Sequence, residues 1–330
     1  MVRRAAGVVL VLGILAPALA AADDNDLILA RLATRVTDST GAVTNVIGQN
    51  AEFRSLASQL GVVLAPHLLT PADTVGFSGF QFTVDYSTTT IDANAPYWKA
   101  LASSPDPGGT GTVAHGPSAM STVGLFARKG IWFPVPSFEI GAGAVHLVDS
   151  QIWTGQLYAK LGLHEGYHQL PLPSLAVRGA VSRMLSQREL DLTVASLDVT
   201  LSKHFGVGDT WRLDPYAGWN LLMIVPRSEV IDPTPNVDPL SPGNEADSML
   251  NFVFADQDTI YRNRIIVGTK FQYYLLQLTV EAQFALAGNS VDDRVGTNER
   301  CVFASMTTNC DAKDAAAAQR TLSFSAGVDF

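Results

Sequence analysis

From Arg320 to the carboxyl end the chain alternates. Leu322, Phe324, Ala326, Val328 and Phe330 occupy every second position, with Thr321, Ser323, Ser325, Gly327 and Asp329 between them. A period of two predicts a strand with one apolar and one polar face. The signature recurs upstream. Phe80, Phe82, Val84 and Tyr86 alternate with Gln81, Thr83 and Asp85, and further strands are predicted at 119–128, 136–148, 151–163, 173–185, 189–204, 211–225 and 259–273. A ninth sets Leu276, Leu278, Val280, Ala282, Phe284 and Leu286 against Gln277, Thr279, Glu281 and Gln283. In 189–204 the phase slips: Leu190, Leu192 and Val194 share one parity, Leu197, Val199 and Leu201 the other, which predicts a β-bulge near Ala195-Ser196. The fold class is all-β.

The terminal strand, ending on an aromatic residue, resembles the C-terminal signal strand of bacterial outer-membrane β-barrels. The resemblance implies that Phe330 is read by the barrel-assembly machinery. It also implies a transmembrane antiparallel β-barrel from about Thr74 to Phe330, of about ten strands, with eight or twelve as alternatives. An even number places both ends of the barrel on the periplasmic side. The three long connections, 87–118, 226–258 and 288–319, then all fall outside, while the connections near 129–135, 164–172, 205–210 and Tyr274 on the periplasmic side are short. Long external loops and short periplasmic turns are the asymmetry of such barrels, and nothing in the strand assignment imposed it. Apolar faces would meet lipid, with Trp153, Trp211, Trp219, Tyr261 and Tyr273 at interface girdles. Glu139, Lys160, Arg178, Asp191, Arg262, Arg264, Lys270 and Glu281 would point inward.

The amino end gives the same address. Arg3 and Arg4, the apolar run Ala5 to Leu15 and the triplet Ala18-Leu19-Ala20 read as a signal peptide over residues 1–20. The run is too short to span a membrane as a helix. Removing the two arginines takes the formal charge from −9 to −11, which argues against a nucleic-acid partner. Export into an oxidising compartment predicts a disulfide between Cys301 and Cys310, with two free thiols as the alternative. Residues 21–73 read as a partly helical periplasmic segment: Phe53, Leu56, Leu60 and Leu64 recur at helical spacing between Asn50 as N-cap and Pro66 as stop. A helix is about 10–12 Å across, and a barrel of about eight strands holds only side chains. The segment is therefore expected beneath the barrel, with a helical plug inside a twelve-strand barrel as the alternative.

Ten strands lie near the filled end of the barrel series. The expected function is an outer-membrane scaffold or a narrow, porin-like passage for small solutes, with Glu139, Lys160, Arg178, Arg262, Arg264, Lys270 and Glu281 lining the lumen and acting electrostatically. The expected partners are outer-membrane lipid and the assembly machinery, and no cofactor is expected. Two other classes stand beside this one. A surface-binding, adhesin-like barrel would work through loops 226–258 and 288–319. A zinc metallohydrolase would use His164-Glu165-Gly166-Tyr167-His168, which matches H-E-x-x-H, with His164 and His168 as ligands, Glu165 as general base and Glu189 as third ligand. That chemistry needs a helix. Gly162, Gly166, Pro171 and Pro173 disfavour one, and the strand parity puts Glu189 at the far end of the next hairpin. The acidic loop holding Asp232, Asp238, Glu245, Asp247, Asp256 and Asp258 fits no EF-hand spacing and reads as solvated.

Overall fold

The alternation in sequence becomes an alternation in burial. Along β3 (Phe80–Thr90), Phe80, Phe82, Val84 and Tyr86 are exposed, while Gln81, Thr83, Asp85, Ser87 and Thr89 are buried. A soluble protein does the reverse. The strand belongs to a closed cylinder with its polar face inside.

The computed structural model describes residues 23–105, 116–132, 137–165, 172–207, 210–235, 237, 240–241, 244, 247–292 and 313–330. A hairpin, β1 (Ala33–Thr37) and β2 (Val43–Gly48), and a helix, α1 (Asn50–Val63), precede β3. Then follow β4 (Ala119–Ile131), β5 (Phe138–Leu147), β6 (Trp153–His164), β7 (Ser174–Met184), β8 (Leu190–Ser202), β9 (Phe205–Val207), β10 (Trp211–Ser228), β11 (Ile260–Tyr273), β12 (Leu276–Ala285) and β13 (Gln319–Asp329). Each barrel strand pairs antiparallel with its sequence neighbour, and β13 pairs with β3 from Thr321↔Thr89 to Asp329↔Gln81. β8 and β9 lie end to end along β10, so the barrel has ten staves. The break falls at Pro215 of β10, between the pairs Tyr216↔Ser202 and Leu213↔Phe205. Proline has no N–H to offer the ladder there.

One mouth carries short connections alone, together with both ends of the barrel, where Phe80 and Phe330 exchange backbone hydrogen bonds of 2.9 and 2.8 Å. The opposite mouth carries the three long connections, between β3 and β4, β10 and β11, and β12 and β13. Exposed aromatic residues ring the short-turn mouth, among them Trp132, Trp211, Tyr274 and Phe330; Trp153 and Tyr261 stand near the other.

Two expectations give way. No bulge occurs in β8: its pairing with β7 and β10 runs unbroken through Ala195 and Ser196. The parity slip instead marks a change in what the inner face meets. Leu190, Leu192 and Val194 are buried inside the long-loop mouth, whereas Leu197, Val199 and Leu201 face outward. Asp191 consequently faces out, in an ion pair of 2.9 Å with the exposed Arg183.

The second concerns the helix. It does not lie beneath the mouth that carries the barrel ends; it sits in the long-loop mouth, touching β3, β4, β8, β10, β11 and β13. Burial runs all round it, from the apolar Phe53, Leu56 and Leu60 to the polar Arg54, Ser58 and Gln59. A helix buried on every face must be enclosed. Room comes partly from Gly61, where an added Cβ would stand 2.7 Å from the Ile224 side chain on the wall. Above the mouth, Leu29, Leu32, Trp98, Ile231 and Phe254 close one continuous core around the helix, with Phe254 stacked on Phe53 at 4.3 Å.

Candidate functional site

After α1 the chain does not fold back. Residues 64–79, carrying Pro66 and Pro71, run down the lumen from the long-loop mouth to Phe80 at the other. An extended segment leaves its own N–H and C=O groups unpaired, and buried groups of that kind must find partners. The barrel wall supplies them. Arg264 donates to the carbonyl of Pro66 at 2.8 Å, Arg178 to that of His67 at 2.7 Å, and Arg128 to that of Leu69 at 3.3 Å. Lys160 reaches the carbonyls of Pro71 and Asp73 at 3.3 and 2.9 Å.

Acceptors on the wall take the amides. Leu69 N–H donates to Glu281 at 2.8 Å, Ala72 N–H to Ser202 at 3.1 Å, Thr74 N–H to Glu165 at 2.9 Å and Val75 N–H to Glu139 at 2.9 Å. Cations hold carbonyls, and carboxylates, with the Ser202 hydroxyl, hold amides.

These buried charges also have partners in the wall, some charged and some neutral, as buried charges require. Glu139 lies 3.3 Å from Lys160 and accepts from the Tyr158 hydroxyl at 2.6 Å. Arg178 pairs with Asp198 at 2.7 Å and lies over the Tyr158 ring. Arg264 donates to Asn220 and Gln283, each at 2.7 Å, and Glu281 accepts from the Tyr216 hydroxyl at 2.7 Å. Glycines on the inner wall seat these aromatic rings: a Cβ on Gly141 would lie 2.1 Å from Tyr158, and one on Gly268 2.4 Å from Tyr216.

The seven lumen candidates from the sequence are all buried inside the barrel. Five of them, Glu139, Lys160, Arg178, Arg264 and Glu281, touch the threaded segment. Arg262 stands higher and donates to Ser58 of the helix at 2.8 Å, and Lys270 pairs with Asp329 at 3.2 Å near the short-turn mouth. The sequence reading missed Arg128 and Asp198. Arg128 closed a predicted strand and its side was not assigned, and the supposed bulge obscured the facing of Asp198. Two cavities beside the segment, lined in part by His67, Asp85, Phe126 and Gln156, hold about 10 Å³ each. That is about the space of one water.

The zinc-type motif does not assemble around Glu189. His164 ends β6 at the short-turn mouth, while Glu189 precedes β8 at the long-loop mouth, where it accepts from Leu29 N–H at 3.3 Å. The eleven-residue strand β7 separates the two levels, a length of roughly 36 Å at about 3.3 Å per residue. Glu165 is buried and taken up by structure: it accepts from Thr74 N–H, from the Thr74 hydroxyl at 2.6 Å and from Ser137 at 2.8 Å. His168, the signal peptide 1–20 and the cysteine pair Cys301 and Cys310 lie outside the described residues.

No protein-family model matches this chain, and no curated protein matches it. Among solved structures, the chain is similar to Neisserial surface protein A (TM-score 0.30, 8% identity, 76% of this chain and 94% of that one). It is likewise similar to Ail, the attachment invasion locus protein of Yersinia pestis (0.28, 8%, 77% and 99%). OmpT, an outer membrane protein of Vibrio cholerae, aligns at 0.24 and 8% over 64% of this chain and 56% of its own. Likenesses this low carry no functional weight. The closed ten-stave barrel rests on its own strand pairing.

Proposed function

We propose that the protein is an outer-membrane β-barrel that works as a closed scaffold, its lumen sealed by its own N-terminal segment and its long loops on the outer face. The observation that carries this reading is residues 64–79 occupying the lumen, with main-chain groups bonded to wall charges. The apolar exterior suits lipid: Leu125, Leu157, Ile265, Val267 and Leu278 are each at least half exposed. With side chains of this kind outward and charges inward, water is the wrong solvent for the outer surface. The aromatic Phe330 and the alternation of β13 support delivery by the barrel-assembly machinery.

Small-solute passage would require the threaded segment to leave. Single-channel recording of the refolded mature protein in a planar bilayer tests this. The intact chain is expected to be silent, and a version lacking residues 23–73 is expected to show discrete conductance steps. Steps from the intact chain would overturn the closed scaffold in favour of a narrow pore. Deleting Phe330 is expected to slow insertion, and unimpaired insertion would remove the assembly argument.

A further inference from the structure

We infer that residues 23–63 are displayed on the outer surface of the cell, carried there along the barrel's own lumen. The inference rests on the orientation proposed above, with the long loops outside. Its first support is positional. Asn25 donates from its backbone to Asp149 at 2.8 Å and from its side chain to Val148 at 2.9 Å, and Gln151 N–H donates to Asp26 at 2.7 Å. These bonds fix residues 25 and 26 on the β5–β6 turn, at the long-loop mouth. Phe80 is bonded to Phe330 at the opposite mouth. The chain between them traverses the whole barrel, so its two ends lie on opposite sides of whatever the barrel spans.

An exported chain arrives from the periplasmic side, and its N-terminal part must stand on the far side once the barrel has closed. The wall is suited to that passage. Its cations meet the carbonyls of Pro66, His67, Leu69, Pro71 and Asp73, and its acceptors meet the amides of Leu69, Ala72, Thr74 and Val75. Every residue except proline presents both groups. A wall that binds main chain can guide a passing peptide whatever its side chains, and the side-chain contacts of His67, Thr74 and Leu68 then hold this segment in its final register.

The third support is the cap. Leu29, Leu32, Phe53, Leu56 and Leu60 are buried in one core with Trp98, Ile231 and Phe254 of the long loops. That core can form only after the segment has reached the loop side. Once formed, a helix about 10–12 Å across cannot withdraw through a lumen filled by residues 64–79 and wall side chains, where the two cavities beside His67 each hold about one water. Display is thereby locked in, with the tip of the β1–β2 hairpin, Asp38 to Gly41, exposed.

Site-directed labelling on whole Gram-negative cells tests the topology. Ser39→Cys places a thiol at the hairpin tip and Leu275→Cys one in the β11–β12 turn, each in a background with Cys301 and Cys310 changed to serine. Folding is verified by heat-modifiable migration in detergent gels. A membrane-impermeant maleimide is expected to label Ser39→Cys equally before and after the outer membrane is permeabilised, and Leu275→Cys many-fold more after. Protection of both thiols in intact cells would overturn the display while leaving the barrel's orientation standing. Labelling of Leu275→Cys in intact cells would overturn the orientation itself, and the display with it. An epitope inserted between Thr40 and Gly41 of the otherwise unaltered chain gives the same readout by antibody binding, independent of the cysteine background.

Discussion

A lipid-facing exterior makes a graded prediction along one strand. On β11, Tyr261 and Tyr273 face outward, and Val267 lies six residues from each on the same face, 52% exposed. A strand rises about 3.3 Å per residue, and at a tilt of about 40° that is about 2.5 Å along the membrane normal. Val267 therefore stands near the midplane, with each tyrosine about 15 Å away, just beyond the half-height of a roughly 25 Å apolar band. Asn263, also outward, stands about 10 Å from the midplane by the same arithmetic, and is polar already. An arginine on the lipid face costs about 2–4 kcal/mol at the midplane and about 0–1 near the interface. Val267→Arg should then lower the folding equilibrium by roughly 30- to 700-fold, at about 1.4 kcal/mol per factor of ten, and Asn263→Arg by no more than about fivefold. Guanidinium titration in phospholipid vesicles, followed by tryptophan fluorescence, measures both. On a water-facing strand each change would stay within about 0.5 kcal/mol. A Val267→Arg cost that small, or one no larger than that of Asn263→Arg, would refute the lipid-facing exterior.

Other parts of the molecule respond in their own ways. Leu60→Ala empties a fully buried site in the mouth core and should cost about 2–5 kcal/mol, read as faster proteolysis of the N-terminal cap. Gly141→Ala drives a Cβ to 2.1 Å from Tyr158 and should cost about 1–3 kcal/mol by overpacking. Gly179→Ala, on the outer face with nothing within 4 Å, should instead stabilise by about 0.5–1 kcal/mol; vesicle unfolding distinguishes the pair. Glu189, outside the spanning strands, has its carboxyl raised above the ordinary 4.5 by burial. The Leu29 N–H bond favours the ionised form but burial outweighs it, so the stability that the buried carboxyl lends the cap is fully present below the ordinary carboxylate range and lost as pH rises through the raised value. Exchange of the Leu29 amide, corrected for intrinsic rate, should accelerate from acid toward neutral pH, and Glu189→Gln should flatten that rise.

All ten barrel strands were legible because their exterior repeats one rule, an apolar side chain at every second position. The ends were legible too, from the lengths of the connections. The lumen's occupant was not. Phe53, Leu56, Leu60 and Leu64 mark a helix wherever it packs, and nothing in that spacing distinguishes a place beneath a barrel from one inside its mouth. The polar side of α1 is engaged as well: Ser58 meets Arg262 and Asp314, while the carbonyl of Gln59 meets Gln319. The threaded residues 64–79 are held largely through main-chain atoms, and the side chains that add to the hold, His67 on Ser87, Thr74 on Glu165 and Leu68 against Tyr216 and Ile266, follow no period that a sequence displays.

One sign of the occupant was nonetheless present in the sequence, in the phase slip of β8. An α-helix satisfies its own backbone and needs only an apolar wall, whereas an extended segment brings unpaired amides and carbonyls and needs a polar one. On β8 and β10 the inner face changes character at the level where the occupant changes from one to the other. Beside α1 the wall offers Leu190, Leu192, Val194, Leu222, Ile224 and Ile260, all buried. Its one charge at that level, Arg262, meets the helix's polar side through Ser58. A step further in, opposite Pro66 and His67, the same strands offer Asp198, Asn220 and Arg264. The outer face of β8 becomes apolar where its inner face turns polar, which is why the apolar parity flips with no break in pairing. On β8 and β10 the inner-wall polarity thus follows the secondary structure of what fills the lumen beside them, whereas β3 and β13, which also touch α1, stay polar throughout. By that rule an apolar inner tier above a charged one predicts a helix giving way to an extended chain.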